Sequence, residues 1–391
     1  MRVAHVITRL IVGGAQENTI ASVLGLREKP GVEVELISGP TTGPEGSLEP
    51  RVAQIPGLLT LVPELVRPVS PLHDWLALRK LTRLFRRQRP DIVHTHSGKA
   101  GVLGRLAAHT ARVPIIIHTI HGPSFGPFQG GLANLVFRAA ERRAGRVTTH
   151  FVSVANAMTE QYLAAGIGRP EQYTRIFSGF DLEPFLNAKN DLALRAKLGI
   201  SPDDFVIGKV ARLFEHKGHN ELFSLAPALA LTHPHIKFLL VGDGTLRPRF
   251  EKLVQGLGLQ RQFIFTGLVP PAEVPAMLGV MDAVVHLSRR EGLARVLPQA
   301  LAAGKPIVAY DCDGAREACL NGETGFLLPT GDTKLLATRI EQLAGDAQLR
   351  DQFGARGREL VKECFPTQRM VDELRSLYLR LLAEQSAIGN R

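Results

Sequence analysis

One pattern at the start of the chain occurs again near its middle, and it constrains the fold more than anything else in the sequence. Val3-Ala-His-Val-Ile-Thr runs into Gly13-Gly14-Ala15-Gln16, and Val206-Ile-Gly-Lys-Val-Ala runs into Lys217-Gly218-His219-Asn220. Each reads as a strand, a loop carrying glycine and then a helix, which is how a doubly wound α/β domain begins. Two beginnings imply two such domains, and 391 residues are enough for two at about 100–200 residues each.

Short β-branched runs separated by helical stretches extend the pattern. Strands are expected at 3–8, 34–38, 91–95, 115–120 and 148–154, and again at 205–211, 236–242, 262–266, 282–287 and 306–310. Continuous apolar runs between helices are the mark of parallel strands covered on both faces, so the class is α/β. Gly, Pro and Asn cluster between 176 and 190, which places a boundary there. The expected domains are 1–188 and 189–366, and an amphipathic helix at 367–391, after the break at Pro366, is expected to return to the first domain.

Composition narrows the function classes. Apolar residues at 45% and charged residues at 21% exclude a disordered chain. Cys312, Cys319 and Cys364 are odd in number and form no CxxC, so neither a disulfide framework nor a zinc site is encoded, and a reducing compartment fits. No run reaches the roughly 18 apolar residues of a spanning helix. The N-terminus lacks the ordered basic, apolar and cleavage regions of a secretory signal, so a cytoplasmic protein is expected. The net charge of +10 is uneven, with 22 Lys+Arg against 14 Asp+Glu in residues 1–190 and 25 against 23 beyond, so an anionic surface would meet the N-terminal half.

Three places carry chemistry. Gly13-Gly14 opens a helix whose unpaired N–H groups suit a phosphate, although a strand-to-helix turn also selects glycine on steric grounds. Arg212 and Lys217-Gly218 repeat that geometry with two cations, a fork and a point charge for two neighbouring phosphoryl groups, unless they only decorate a solvated loop. The segment 288–306 is the densest. Glu291 ends a loop and Gln299 lies eight residues on in a helix closed by Gly304-Lys-Pro306, one to two turns from Glu291. Phosphates at that helix start would leave sugar hydroxyls near Glu291 and a ribose near Gln299. Otherwise Glu291 is an N-terminal helix carboxylate and Gln299 a surface residue.

Arg212-x4-Lys217-Gly218, Val241-Gly242-Asp243-Gly244, Phe265-Thr266-Gly267 and Glu291-Gly-Leu-x5-Gln299-Ala-Leu-Ala-Ala-Gly304-Lys-Pro306 resemble, in order and spacing, glycosyltransferase family 4. The resemblance covers nearly the whole chain. It implies the GT-B fold, two Rossmann-like domains facing a cleft, and a retaining enzyme that moves a sugar from a nucleoside diphosphate sugar, UDP-linked by family precedent. Gly13 and Gly14 would lie at the donor phosphates, Arg212 and Lys217 on the diphosphate, and Glu291 on the sugar. The backbone of Gly292, Leu293 and Ala294 would serve the donor, and Leu268 the nucleobase. The family has a second glutamate where this chain has Gln299, so the ribose contact becomes a neutral hydrogen bond, weaker by about 1 kcal/mol.

Residues 91–105 and His118-Thr-Ile-His121-Gly122 resemble the acceptor side of family members that build lipid-linked or surface glycans, with His121 at the position of the family's active-site histidine. His94-x-His96 places two imidazoles on one strand face, but with no third ligand nearby it does not read as a metal site. Asp311-Cys-Asp313 reads as a loop and helix cap. The resemblance implies catalysis without a metal or other cofactor. The helix at 75–89 carries Arg79, Lys80, Arg83, Arg86, Arg87 and Arg89 beside an apolar stripe of Trp75, Leu78, Leu81 and Phe85. Such a helix usually packs on a core and leaves its basic face to solvent, and the aromatic and glycine-rich stretch 125–138 reads equally as a core helix after an acceptor loop; the sharper reading of both is peripheral contact with an anionic membrane surface. The competing class is a non-catalytic nucleotide-sugar or polyanion-binding protein of the same fold. A nucleic-acid partner is not expected, since aromatics are 6% and no helix-turn-helix, zinc or RNA-binding motif occurs.

Overall fold

The computed structural model describes residues 1–43 and 46–389; residues 390 and 391 of the expected last helix lie outside that set. The chain divides into two compact units, one comprising Met1–Phe180 with the chain from Thr367 onward, the other Asp181–Pro366. Residues 181–188, expected in the first domain, belong to the second unit. Their short helix Glu183–Leu186 packs on the helices Val274–Gly279 and Val296–Ala302 of that unit.

The first unit holds seven strands: β1 (Arg2–Ile7), β2 (Glu33–Ser38), β3 (Leu59–Leu61), β4 (Ile92–His96), β5 (Ile115–Ile120), β6 (His150–Ser153) and β7 (Tyr173–Arg175). They are parallel, in the order β3-β2-β1-β4-β5-β6-β7. The second unit holds β8 (Phe205–Val210), β9 (Ile236–Val241), β10 (Phe263–Gly267), β11 (Ala283–His286), β12 (Ile307–Tyr310) and β13 (Gly325–Leu328), also parallel, in the order β10-β9-β8-β11-β12-β13. Both are doubly wound sheets whose strand order reverses at the first strand, between β1 and β4 and between β8 and β11. Ligands of such sheets bind beyond the strand C-termini at that reversal. The strands β3, β7 and β13, three or four residues long, were not expected.

In the first unit the returning helix Thr367–Gly389 covers one sheet face, packing Met370, Leu374, Leu377, Tyr378 and Leu381 against Val3, Ile92 and Ile117. The helices Pro71–Gln88 and Gly98–Thr110 cover the other face with Ala77, Leu81, Phe85, Ala100 and Ala107. The stripe of Pro71–Gln88 thus begins at Ala77. Trp75, expected within it, is 50% exposed and carries the Arg79 guanidinium 4.6 Å from its ring centroid. Gly98–Thr110 is tied to the helix Gly131–Gly145 by Arg105, which is buried and donates to Glu141 at 2.5 Å. The acceptor-side arginine of the sequence pattern is therefore a core ion pair.

Candidate functional site

The reversal point of the second unit gathers the charged residues of the sequence motifs. Beyond β8, the chain from Ala211 to Leu213 lies against the loop that follows β9. Leu213 donates from its backbone N–H to Asp243 O at 3.0 Å, and a Cβ on Gly242 or Gly244 would sit 2.3 or 2.5 Å from the carbonyl oxygens of Ala211 and Leu213. The Val241-Gly-Asp-Gly motif is a packing device that fixes the exposed Arg212. Gly218, at φ +70°, caps the helix His219–Thr232, and a Cβ there would strike Leu287 O, so only glycine lets this turn approach the end of β11.

Lys217 forms an ion pair with Glu291. Ser288 donates to the same carboxylate oxygen at 3.1 Å, and the Glu291 backbone N–H donates to Asp313 Oδ2 at 2.7 Å. Burial raises the Glu291 carboxyl pKa, but Lys217, His286 and the hydrogen bonds from Lys217 and Ser288 outweigh it and hold the group below its ordinary range. Asp313 is thus a clamp on the Glu291 loop and does not cap a helix as expected. Asp311 is engaged by Arg316 at 2.8 Å. The helix after Glu291 spans Val296–Ala302, so it starts five residues beyond Glu291 and holds Gln299 in its first turn; Glu291 itself stands on the loop. Gly292 and Leu293 are buried, Ala294 and Gln299 half-buried, and Leu268 beyond β10 is exposed.

Beneath this site lies a group the sequence reading missed. Lys209 on β8 is buried with no hydrogen-bond partner for its Nζ. Burial and the nearby Lys217 push its pKa down to about 7, against the opposing pull of Glu221 and Glu291. His219 is pushed down to about 2 by burial, Lys209 and Lys217, and buried His286 to about 3. A lysine inside the apolar run 205–211 was the available signal.

In the first unit, Gly13 precedes the helix Gly14–Arg27 with an extended φ of 177°, and a Cβ on it would meet only the Gln16 side chain, 2.8 Å away. Backbone conformation therefore does not demand glycine at 13. Beyond β5, half-buried His121 shares a hydrogen bond with His96 at 3.0 Å. His118, three residues earlier, faces the opposite side of the sheet, where Thr95 meets it at 2.9 Å and a Cβ on Gly101 would touch its ring. The third imidazole that the sequence reading found lacking beside His94 and His96 is His5, directly across from His94 on β1. The three rings place ligand atoms within 4.8 Å of one another, a set that can hold a zinc-type cation. All their nitrogens are engaged within the protein, so a cation would have to displace those bonds.

Comparison with known proteins agrees with this layout. Residues 13–178 match the model of the glycosyl transferase 4-like domain, and residues 190–360 that of the glycosyl transferases group 1. The chain is 30% identical over 318 residues to EpsD of Bacillus subtilis, covering 80% of this chain and 82% of that one. The chain belongs to glycosyltransferase family 4. It is also 29% identical, over 83% of its length and 84% of the relative's, to the UDP-Gal:alpha-D-GlcNAc-diphosphoundecaprenol alpha-1,3-galactosyltransferase of Escherichia coli. Its fold matches HepE of Anabaena, solved in complex with UDP and glucose, with a TM-score of 0.81 at 24% identity over 96% of this chain and 99% of that one. The two doubly wound sheets are those of GT-B glycosyltransferases, and the charged reversal point lies in the portion matched by the group 1 model.

Proposed function

We propose that this glycosyltransferase is retaining and transfers a sugar from a UDP-sugar to a lipid-linked glycan acceptor, of the polyprenyl diphosphate type, in the assembly of cell-envelope polysaccharide. The observation that carries the donor half is the convergence of Arg212 and the Lys217–Glu291 pair on the C-terminal edge of β8 and β11, where a doubly wound sheet binds its ligand. The E. coli relative supports the acceptor half, since it acts on a diphosphoundecaprenol-linked sugar.

In this reading Lys217 keeps one of its three N–H donors on Glu291 and offers the others to the diphosphate beside the planar fork of Arg212. As the sugar–phosphate bond breaks, charge grows on the leaving phosphate, and these cations stabilise it electrostatically in place of a divalent metal. The same phosphate takes the proton of the acceptor hydroxyl, which attacks on the face the leaving group vacates. Glu291, held ionised, accepts hydrogen bonds from the sugar hydroxyls. Within the second unit Gly292 to Ala294 line the donor, Gln299 binds the ribose and Leu268 lies at the base; within the first unit His121 and the backbone of Gly13 and Gly14 are the candidate residues for turnover.

The enzyme works on the cytoplasmic side of the membrane and touches it peripherally. Among the described residues no helix is long and apolar enough to cross a membrane. The helix Gly131–Gly145 exposes Leu132, Leu135 and Val136, and Pro71–Gln88 exposes Leu72 and Trp75 beside Arg79, Arg83, Arg86 and Arg87, a pairing of apolar and cationic surface that suits anionic lipid. Release of nucleoside diphosphate across a panel of nucleotide sugars, with a polyprenyl diphosphate sugar as acceptor and with EDTA present, tests the reading. Turnover with a UDP-sugar that EDTA leaves intact is the expected result; activity abolished by EDTA and restored by manganese would refute the metal-free step.

A further inference from the structure

One buried basic group of the second unit has no part in the chemistry described so far. Strand alternation puts Lys209 on the same face of β8 as Ile207, and its partner across the ladder is Leu240. The side chain therefore leaves the strand on the face where Ile207 and Leu240 join one core cluster with Leu222 and Phe250. Lys209 is 1% exposed, and its Nζ has no hydrogen-bond partner. An ammonium brings three N–H donors, and burying it without acceptors is far more costly than burying the amine. The free protein thus holds an uncharged amine there above neutrality, in accord with a pKa of about 7.

The charges around the amine are nearly balanced. Lys217 opposes a charge on Lys209, while Glu221 and Glu291 favour one. Both carboxylates are already engaged elsewhere. Arg289 donates to Glu221 from two nitrogens, at 2.8 and 3.1 Å, and Lys217 and Ser288 hold Glu291. His219, stacked on Phe250 with ring centroids 5.3 Å apart, and His286 on β11 also feel Lys209, but burial keeps both uncharged at neutral pH. The start of the helix His219–Thr232 adds the positive end of a dipole. What this surrounding lacks is negative charge, and a diphosphate on Lys217 and Arg212 would supply it.

We propose that Lys209 couples donor binding to a proton: its buried amine is uncharged in the free enzyme and takes up one proton from solvent when a nucleoside diphosphate occupies the reversal point of the second unit. The inference rests on the reading of Arg212 and Lys217 as the diphosphate site. Lys209 acts through the field of its neighbours and makes no contact with the donor. The bound phosphates stabilise the ammonium, and by linkage the ammonium tightens the phosphates to the same degree. Donor binding therefore places a second cation beneath Lys217 that the empty site does not have to bury.

Calorimetric titration of UDP into the full-length protein at pH 8, in HEPES and in Tris, reads proton uptake from the difference in heat between two buffers of unlike ionisation enthalpy. The UDP phosphates are already ionised at that pH, and His219 and His286 titrate too low to gain a proton. If the phosphates raise the amine from about 7 to about 8 or 9, the wild type should take up roughly 0.4–0.8 proton, and its Kd for UDP should rise roughly five- to twenty-fivefold from pH 7 to pH 9. Lys209→Met keeps the length of the side chain and removes the amine, so it should fold, take up less than about 0.1 proton and hold its Kd within about twofold over that range. Lys209→Gln, also uncharged, should behave the same way. Buffer-independent heat in the wild type, or equal uptake in the wild type and both variants, would overturn the proposal while leaving the diphosphate site intact. Absence of UDP binding by the wild type would overturn the donor reading and this inference together.

Discussion

The two units share one topology and treat buried basic residues in opposite ways. On β1 the first unit buries His5, which finds hydrogen-bond partners in His96 and Tyr378 and stays neutral at little cost. On β8 the second unit buries Lys209, whose Nζ has no partner and lies under the charged pair of Lys217 and Glu291. The difference is one of electrostatic means. At its buried histidines the first unit keeps basic groups uncharged and hydrogen-bonded, whereas the second concentrates charge at its reversal point, with Lys217, Glu291 and Arg212 near the surface and Lys209 below them.

Acid should separate the units most strongly. The first buries His5, His94, His96, His118 and His150 with depressed values, about 3 for His5 and about 4 for His150, and the second only His219 and His286. Below the ordinary value of 6.5 the unfolded chain binds protons at these rings that the native state refuses. Their contribution is therefore intact above 6.5 and is lost as pH falls toward about 3, at up to about 1.4 kcal/mol per pH unit for each ring. Hydrogen exchange corrected for intrinsic rate, followed from pH 7 to 4.5, should show the first unit losing protection before the second; the reverse order would break the comparison.

A smaller effect tests a buried ion pair of the first unit. Arg105 and Glu141 are both buried, so Glu141→Gln should cost about 3–5 kcal/mol in urea melts, the usual price of stranding a buried charge. Arg316→Ala, which breaks the exposed pair with Asp311 in the second unit, should cost less than about 1 kcal/mol. Equal losses would mean that burial does not distinguish the two pairs.

Much of this was visible in the residues. Ten strands, two sheets and the returning helix follow from apolar runs and an amphipathic spacing, because parallel strands covered on both faces leave a continuous β-branched signature. Arg212, Lys217 and Glu291 were legible because the motif fixes their spacing, and the fold pairs the last two across 74 positions. What stayed hidden depends on contacts between distant segments. His5 joins His94 only through strand register, Tyr378 reaches them from 284 positions beyond His94, and Asp313 clamps the Glu291 loop across 22 positions. Trp75 misled because helical spacing cannot tell which of two adjacent stripes a sheet will cover.

A further effect sharpens the contrast between His5 and Lys209. Lys209 titrates at about 7 in the native state against 10.5 for an ordinary lysine, so the unfolded chain binds the extra proton between those values and wild-type stability should rise with pH there. Relative to Lys209→Met the rise should be at most about 1.4 kcal/mol per pH unit. Thermal melts of both proteins at pH 7 and pH 9.5 measure it, and parallel pH dependence in the two would mean that Lys209 is not held neutral.

The charged reversal point of the second unit is proposed to bind the diphosphate of the donor. Calorimetric titration of UDP into the wild type, Arg212→Ala and Lys217→Ala tests it directly, because binding is read without knowledge of sugar or acceptor. Each substitution removes a charge-assisted contact worth about 1.5–3 kcal/mol, so Kd should rise roughly ten- to a hundredfold in each. UDP binding with wild-type affinity in both variants would contradict the account.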